Sequence, residues 1–207
     1  MSSMKYLLGV LIALVGVFVF MKEGNQTTQE KIVLDKSSVV LAFGDSLTYG
    51  FGAPKEYSYP SILERKTSLE IVNAGINGEV SSQGLARLKT ILSKREFDLV
   101  ILCHGGNDLI KKLPQNNLKS NLLEMIRLIQ NNGAKVLFVG VANFEMFDFE
   151  TNEVYDQIAQ ETGVVYDGIT LQKVESDRSL KSDYVHPNAK GYEVMANAFY
   201  EKLEIRQ

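Results

Sequence analysis

The sequence predicts a three-layer α/β domain, in which helices cover both faces of a central parallel β-sheet. Short apolar runs alternate along the chain with longer amphipathic segments, and this alternation is typical of such domains. The apolar runs are nearly continuous in Val, Ile and Leu, as expected of strands that are covered on both faces. Gly133 and Gly163 lie where a left-handed residue would end a helix before the next strand begins.

The predicted sheet has five strands, with amphipathic helices between and after them. The strands are expected at residues 39–43, 70–73, 98–103, 135–141 and 164–167. The helices are predicted from apolar residues three or four apart, which share one helix face. Three such faces carry Leu85, Leu88 and Leu92; Leu118, Leu122, Met125 and Ile129; and Tyr192, Met195, Ala196, Phe199 and Leu203. With right-handed crossovers, the ligand site of such a sheet lies at the carboxyl ends of its strands.

The composition fits one globular domain and argues against several classes of function. The chain has 207 residues, 45% of them hydrophobic and 23% charged, which is enough to bury a substantial core. A net charge of -3 without a basic run gives no indication of a nucleic-acid partner. The sequence has no zinc-site spacing, and 50-GFGA-53 lacks the later glycine of a nucleotide-binding loop. The single cysteine, Cys103, allows no disulfide within the chain.

Residues 1–22 are expected to contain an apolar helix that serves export or membrane anchoring. Residues 6–21 carry no charge, and as a helix they would span about 24 Å, slightly less than a bilayer core. They can be a cleaved signal peptide or an uncleaved signal anchor, and a buried core helix is a third alternative. The residues that follow suit a signal peptidase badly, which favours the anchor. Lys5 and the amino terminus favour a cytoplasmic N-terminus, so the domain is expected outside the cytoplasm, or secreted if the segment is cleaved.

Residues 23–36 are predicted to be a polar tether between this segment and a domain at residues 37–207. As a flexible coil the tether would reach about 20 Å. The short apolar run at residues 32–34 could instead add a strand. Anchoring would make the membrane a partner of the protein and would hold the domain close to lipid.

Four polar or glycine-rich segments lie where the predicted sheet would place a ligand site. Three follow strands and the fourth precedes the last helix: 43-FGDSLTYG-50, 73-NAGINGEVS-81, 104-HGGND-108 and 183-DYVHPN-188. Ser46 in the first segment can be either a helix cap or a nucleophile at the end of a strand. An alcohol becomes an effective nucleophile only when a neighbouring base takes its proton. The backbone N–H groups of Ser46 and Gly78 and the side chain of Asn107 could donate hydrogen bonds to the oxyanion that such an attack creates.

Only two histidines are available as that base. His186 follows Asp183 by three residues, a spacing that can bring the carboxylate to the imidazole Nδ1–H within one turn. Taken alone, this segment is better explained as a surface turn with an incidental Asp and His. His104 adjoins Cys103 at a strand end, where neighbouring side chains point to opposite faces, so a Cys–His site is not expected. His104 is instead expected to be a partly buried histidine whose hydrogen bonds are satisfied.

Taken in this order, the four segments closely resemble the signature blocks of the SGNH hydrolases, also called GDSL-type esterases. The likeness extends over essentially the whole predicted domain, and it looks closest to a bacterial group of exported acyl-CoA thioesterases, lysophospholipases and arylesterases. The resemblance implies a flavodoxin-like parallel sheet and a serine acyl hydrolase without a metal or other cofactor. By matched position, it implies Ser46 as the nucleophile, His186 as the base and Asp183 as the orienting acid. It likewise implies an oxyanion hole made by Ser46, Gly78 and Asn107.

The expected function is hydrolysis of acyl esters or thioesters by a monomer, through a Ser46 acyl-enzyme. Leu109, Ile110, Phe144 and Phe147 could form the wall of an acyl-binding site, although apolar side chains there could equally cover the core. Lysophospholipids are attractive substrates because the tether would hold the site near the bilayer. A carbohydrate O-acetylesterase of the cell envelope is an alternative. A non-catalytic envelope binding module is another, against which the retention of every catalytic position argues.

Overall fold

Five parallel strands form the central sheet of the protein, as the sequence predicts. The computed structural model describes residues 31–143 and 150–206. In chain order, β1 is Ile32–Asp35, β2 Val39–Gly44, β3 Glu70–Gly75, β4 Leu99–Cys103, β5 Lys135–Val139, β6 Val165–Asp167 and β7 Leu203–Arg206. The strand order in the central sheet is β3-β2-β4-β5-β6, and its neighbouring strands are parallel. Every residue of β4 is buried, because helices cover both faces of the sheet.

The helices pack in two layers against this sheet. They are α1 Ser46–Tyr49, α2 Tyr59–Thr67, α3 Ser81–Leu92, α4 Gly106–Ile110, α5 Gln115–Asn131, α6 Glu153–Thr162, α7 Thr170–Ser176 and α8 Ala189–Glu201, with short 3-10 turns at Lys55–Tyr57 and Arg178–Leu180. The chain moves from β2 to β3 in one direction and then crosses from β3 to β4 in the other. Right-handed crossovers therefore place α2 on one face and α3, α5 and α6 on the opposite face. The result is the predicted α/β/α sandwich.

The helix boundaries agree with the sequence pattern except at the last helix. Gly133 and Gly163 follow α5 and α6 with φ angles of 85° and 65°, the left-handed conformation that ends a helix and that glycine adopts most readily. Leu203 was predicted on the face of the last helix, and this prediction is wrong. α8 ends at Glu201, and Leu203 begins β7, where it is buried as part of a strand.

A second, two-stranded parallel sheet brings together the beginning and the end of the described residues. β1 pairs with β7, and Ile32 and Leu34 are buried in the core. The alternative that residues 32–34 add a strand is therefore correct, because alternating apolar side chains bury one face of a strand there. Residues 1–22 and 23–30, which include the predicted apolar helix and the rest of the tether, lie outside the described residues. In the part of the chain that the structure describes, no helix is both long and apolar enough to cross a membrane.

The carboxyl ends of β2, β3 and β4 lie side by side at one edge of the sheet. Gly44 at the end of β2 pairs with Gly75 of β3 on one side and with Cys103 of β4 on the other. A Cβ atom at Gly44 would stand 2.0 Å from the backbone oxygen of Cys103, so no larger residue fits this position. The three loops that follow these strands leave the sheet where the strand order reverses, which is where such sheets bind their ligands.

Candidate active site

Ser46 is the first residue of α1 and follows β2 after a single residue, Asp45. Asp45 caps this helix, because its Oδ1 atom accepts a hydrogen bond from the backbone N–H of Leu47 at 3.1 Å. The backbone N–H of Phe51 donates to the backbone oxygen of Ser46 at 3.1 Å and closes the turn behind it. Ser46 Oγ lies 3.1 Å from Nε2 of His186. Ser46 therefore begins a helix and contacts a histidine, but the cap of this helix is Asp45 and not Ser46.

His186 is held between Ser46 and Asp183. Its Nδ1 atom lies 2.8 Å from Oδ2 of Asp183. The other carboxylate oxygen of Asp183 accepts hydrogen bonds from the backbone N–H groups of Val185 at 2.8 Å and His186 at 2.7 Å. Burial alone would raise the pKa of Asp183, but these hydrogen bonds from His186 and Val185 lower it below its usual value. An ionised carboxylate keeps the proton on Nδ1, so that the lone pair of Nε2 faces Ser46 Oγ.

Neighbouring side chains fix the loop that contains Asp183 and His186. Arg178 Nη1 donates to the backbone oxygen of Asp183 at 3.1 Å, and Lys181 Nζ donates to that of Tyr184, also at 3.1 Å. The ring of Phe51 lies against the imidazole of His186, with ring centroids 4.5 Å apart. These contacts restrict the movement of the imidazole relative to Ser46.

Asn107 connects the loops that contain the other two predicted oxyanion donors. It lies in α4, after β4, and its Nδ2 atom donates to the backbone oxygen of Glu79 at 3.0 Å and to Oδ2 of Asp45 at 3.3 Å. Asp45 precedes Ser46 and Glu79 follows Gly78, so the amide lies between these two loops. Gly78 has a φ angle of 75°, and no described atom lies within 4 Å of the position of a Cβ there, which leaves this side of its loop open.

A cavity of about 410 Å³ opens beside these residues. Its described lining is Leu109, Ile110, Lys112, Leu113, Gln115, Asn143, Asn152, Tyr184 and Val185. Tyr184 and Val185 directly precede His186, and Leu109 follows Asn107 by two residues, so the cavity adjoins two of the segments that contain predicted catalytic groups. Leu109 and Ile110, two of the four predicted wall residues, line this cavity. Phe144 and Phe147, the other two predicted wall residues, lie outside the described residues.

The surroundings of His104 differ from the sequence prediction. The residue is fully buried and not partly buried, and its Nε2 atom lies 3.0 Å from Oε2 of Glu79. Its Nδ1 atom has no hydrogen-bond partner among the described residues, so the prediction that its hydrogen bonds are satisfied is also wrong. Gly84 of α3 makes room for the ring, because a Cβ atom there would stand 2.2 Å from Nε2. Glu79 also forms an ion pair with Arg87 of α3. A charged residue at position 87, next to the buried Leu88, was the sequence signal that could have indicated this pair.

The arrangement supplies the groups that acyl transfer from an ester needs. A hydroxyl lies within hydrogen-bond reach of an imidazole, and a carboxylate orients that imidazole. Hydrogen-bond donors from the segments after three neighbouring strands, β2, β3 and β4, lie at the same edge of the sheet. Among the described residues, no group of three or more His, Cys, Asp and Glu side chains could hold a metal ion. The fold and the site are those of a serine hydrolase of the α/β class.

The chain belongs to the GDSL-like lipase/acylhydrolase family, whose family model matches residues 42–194. It is 36% identical over 110 residues to an arylesterase of Vibrio mimicus, covering 51% of this chain and 55% of that relative. It is 25% identical over 175 residues to the thioesterase 1/protease 1/lysophospholipase L1 of Escherichia coli strain K12, covering 81% of this chain and 84% of that relative. The solved structure of AlinE4, an SGNH-hydrolase family esterase, is 30% identical with a TM-score of 0.65, covering 80% of this chain and 94% of that chain. The resemblance to the SGNH hydrolases is thereby confirmed, and the protein is an enzyme of the esterase class.

A buried Lys–Glu pair lies next to the loop of Asp183 and His186 and supports it. Lys181 Nζ, which bonds to this loop, lies 3.4 Å from Oε2 of Glu175, and both side chains are almost fully buried. Among the described residues, the second carboxyl oxygen of Glu175 has no hydrogen-bond partner. Burial raises the pKa of Glu175 to about 7, although Lys181 opposes this shift.

We expect the free energy of unfolding to depend on pH through Glu175. The pKa of Glu175 is 4.5 in the unfolded chain and about 7 in the folded protein, so between these pH values only the folded protein keeps the proton. The stability that this proton contributes is present at low pH and is lost as the pH rises through the pKa of the folded protein. In Glu175→Gln, which cannot titrate, this loss should disappear. Relative to the wild type, the variant should therefore gain roughly 2–3 kcal/mol between about pH 5 and about pH 8.

Urea unfolding at both pH values measures this difference. Glu161→Gln is the matched control, because Glu161 forms a Lys–Glu pair with Lys119 in which its own side chain is 46% exposed. Its stability should follow the pH dependence of the wild type. If Glu175→Gln also followed the wild type, Glu175 would not hold the proton that we assign to it.

Proposed function

We propose that the protein hydrolyses carboxylic esters and thioesters through an acyl-enzyme on Ser46, with His186 as general base and acid and Asp183 as its orienting group. The supporting observation is the hydrogen-bonded chain from Ser46 Oγ to His186 Nε2, at 3.1 Å, and from His186 Nδ1 to Asp183 Oδ2, at 2.8 Å. Both distances are within the reach that proton transfer and ring orientation require. The relatives named arylesterase and thioesterase 1/protease 1/lysophospholipase L1 support both ester and thioester substrates.

In the proposed reaction, His186 Nε2 takes the proton of Ser46 Oγ while Oγ attacks the carbonyl carbon of the substrate. The imidazolium that forms is stabilised by Asp183, which remains ionised because its pKa is lowered. The tetrahedral intermediate collapses when His186 returns the proton to the leaving alkoxide or thiolate. Water then attacks the acyl-enzyme by the same sequence of steps, which releases the acid and restores Ser46.

The oxyanion of each intermediate would be bound by the backbone N–H groups of Ser46 and Gly78 and by Asn107 Nδ2. One N–H of the Asn107 amide is held by the backbone oxygen of Glu79 at 3.0 Å. The other lies 3.3 Å from Oδ2 of Asp45, which is a longer and weaker contact. We infer that the oxyanion takes this second N–H from Asp45, so that the amide turns little between the free enzyme and the intermediate.

The acyl chain of the proposed substrate would bind in the cavity beside the site. Leu109, Ile110 and Leu113 provide apolar surface along its wall. Each methylene that such a wall removes from water contributes about 0.8 kcal/mol to binding, or roughly a fourfold gain in kcat/KM. We therefore propose that acyl chains longer than acetyl are preferred, which favours an acyl esterase or lysophospholipase over a carbohydrate O-acetylesterase.

Ile110→Ser should weaken this preference, because it replaces apolar wall with a hydroxyl. We expect the ratio of kcat/KM for p-nitrophenyl octanoate to that for p-nitrophenyl acetate to fall by about 3- to 10-fold. Ile169→Ser is the matched control, since Ile169 is 74% exposed in a groove between α7 and α8. Its ratio should stay that of the wild type. An unchanged ratio in Ile110→Ser would show that the acyl chain binds elsewhere.

We also propose that residues 1–22 anchor the protein in a membrane, with the catalytic domain outside the cytoplasm and acting as a monomer. The support for anchoring is the uncharged run at residues 6–21. A site next to a bilayer would favour lysophospholipids, and the lysophospholipase in the name of the Escherichia coli relative supports this substrate. Membrane fractionation combined with N-terminal sequencing tests the anchor. A soluble product that starts after residue 22 would contradict it.

Hydrolysis of a substrate panel tests the proposed function as a whole. The panel consists of p-nitrophenyl esters from acetate to laurate, an acyl-CoA and a lysophospholipid, each assayed with the wild type and with Ser46→Ala. We expect turnover of esters and thioesters that depends on Ser46. Activity on acetate alone would favour the O-acetylesterase. A folded protein without activity on any member of the panel would favour a binding module.

A further inference from the structure

We propose that Arg87 is a positioning residue for the oxyanion hole. It bridges the ends of the two strands whose loops contain Ser46 and Gly78, and it binds Glu79, whose backbone oxygen accepts a hydrogen bond from Asn107. This role presupposes the acyl-enzyme mechanism proposed above. Arg87 lies on α3, which follows the loop of Gly78 and leads into β4, so its side chain is placed between the loops that must be held together.

Arg87 binds the backbone of two neighbouring strands. Its Nη1 atom donates to the oxygen of Ala74 in β3 at 2.9 Å, and its Nη2 atom donates to the oxygen of Gly44 in β2 at 3.3 Å. Gly44 precedes Ser46 by two residues, and Ala74 precedes the loop of Gly78. A guanidinium group is planar and rigid, so it fixes the separation of the two carbonyl groups in a way that a flexible cation cannot.

The same guanidinium holds Glu79, which is the link to Asn107. Arg87 Nε donates to Oε1 of Glu79 at 2.8 Å, and Nη2 contacts the other carboxylate oxygen, so the pair is bidentate. The backbone oxygen of Glu79 accepts the hydrogen bond from Asn107 Nδ2 at 3.0 Å. Glu79 also follows Gly78 directly. The side chain of Glu79 thus fixes the position of a backbone segment that orients one oxyanion donor and adjoins another.

Charge and burial restrict the movement of the Arg87–Glu79 pair. The guanidinium lies over the ring of Phe43, with its Cζ atom 4.1 Å from the ring centroid. Glu79 is 7% exposed and takes a further hydrogen bond from His104 Nε2 at 3.0 Å. Burial opposes ionisation of Glu79, but Arg87 and His104 lower its pKa to about 2. The pair is therefore charged at any pH at which the enzyme would be assayed.

The chain contains a matched pair that does not reach the site. Arg95 Nη2 lies 2.7 Å from Oε2 of Glu70, and its guanidinium lies 5.4 Å from the ring of Phe97. The residue types match those of Arg87, Glu79 and Phe43, although this pair is exposed and is joined by a single hydrogen bond. Glu70, however, is the first residue of β3 and lies at the opposite, amino end of the sheet. Arg95→Gln therefore controls for the general loss of an Arg–Glu pair.

The test is a double-mutant cycle on kcat and KM for p-nitrophenyl butyrate with the full chain. We expect Arg87→Gln to lower kcat by about 10- to 100-fold, with KM within about threefold of the wild type. Arg87→Lys should recover part of kcat, and Arg95→Gln should stay within about twofold of the wild type. In an Asn107→Ala background, Arg87→Gln should lower kcat by less than about threefold, because the donor that Arg87 helps to place is absent.

Three results would overturn this role: full additivity with Asn107→Ala, an effect confined to KM, or an equal loss in Arg95→Gln. If thermal unfolding showed that Arg87→Gln does not fold, Arg87→Lys would take its place in the same cycle, and a wild-type kcat there would contradict the need for a guanidinium. The Ser46→Ala variant distinguishes a failure of the positioning role of Arg87 from a failure of the acyl-enzyme mechanism. Without Ser46-dependent turnover the mechanism fails, whereas Ser46-dependent turnover that Arg87→Gln leaves unchanged rejects only the positioning role.

Discussion

Ser46→Ala is expected to lower kcat for p-nitrophenyl butyrate by at least about 10⁴-fold, because in the proposed mechanism no other group can form the acyl-enzyme. The remaining rate would come from the oxyanion donors and from substrate binding. Folding should be almost unaffected. The Ser46 side chain is only partly buried, and the cap of α1 comes from Asp45 and not from Ser46. The melting temperature should therefore stay within a few degrees of that of the wild type.

A second serine provides the control for this substitution. Ser93 is exposed at the end of α3, where its Oγ atom donates to the backbone oxygen of Thr90 at 3.0 Å. Ser93→Ala should keep the wild-type kcat. If Ser46→Ala retained more than about one per cent of the wild-type rate, hydrolysis would proceed without the proposed nucleophile.

The two histidines should respond to substitution in opposite ways. We expect His186→Ala to lower kcat by about 10³- to 10⁵-fold with little change in stability, because it removes the base of Ser46 from a partly exposed loop. His104→Ala should instead lower the stability, since His104 is fully buried and its Nε2 atom donates a hydrogen bond to Glu79 at 3.0 Å. Its folded fraction should keep a far larger share of kcat than His186→Ala keeps. Steady-state kinetics and urea unfolding of both variants measure the two effects.

The pH dependence of kcat/KM of the wild type independently tests the role of His186 as general base. We expect kcat/KM to fall as the pH is lowered, because a protonated imidazole has no lone pair for the proton of Ser46. Asp183 should add no step near neutral pH, since the hydrogen bonds from His186 and Val185 outweigh its burial and lower its pKa. A flat profile, or equal losses of kcat in the two histidine variants, would contradict the assignment of His186.

The sequence was informative wherever local pattern decides the structure. The five strands of the central sheet could be predicted, since continuous apolar runs and left-handed glycines are local signals. Ser46 and His186 are 140 residues apart, and their pairing was expected from the resemblance to the SGNH hydrolases, because the segment of His186 taken alone is better explained as a surface turn.

Features that depend on tertiary contacts could not be predicted in this way. The pairing of β1 with β7 joins residues from opposite ends of the domain, so nothing near Leu203 showed that the helix would stop before it. Glu79 and Arg87 are eight residues apart and lie on different elements, a loop and a helix. The contact of Glu79 with His104 also depends on how closely α3 approaches the residue after β4, where Gly84 adjoins the His104 ring. Such contacts follow from the packing of the core and not from spacing along the chain.

The formation of a covalent intermediate on Ser46 is the central claim, and trapping it with a fluorophosphonate tests that claim most directly. Intact-mass measurement followed by peptide mapping would count and locate the phosphonyl groups. The account predicts one group per chain, on Ser46, with no labelling of Ser46→Ala, much slower labelling of His186→Ala and protection by p-nitrophenyl butyrate. A folded wild-type protein that remained unlabelled, or that was labelled on a residue other than Ser46, would contradict it.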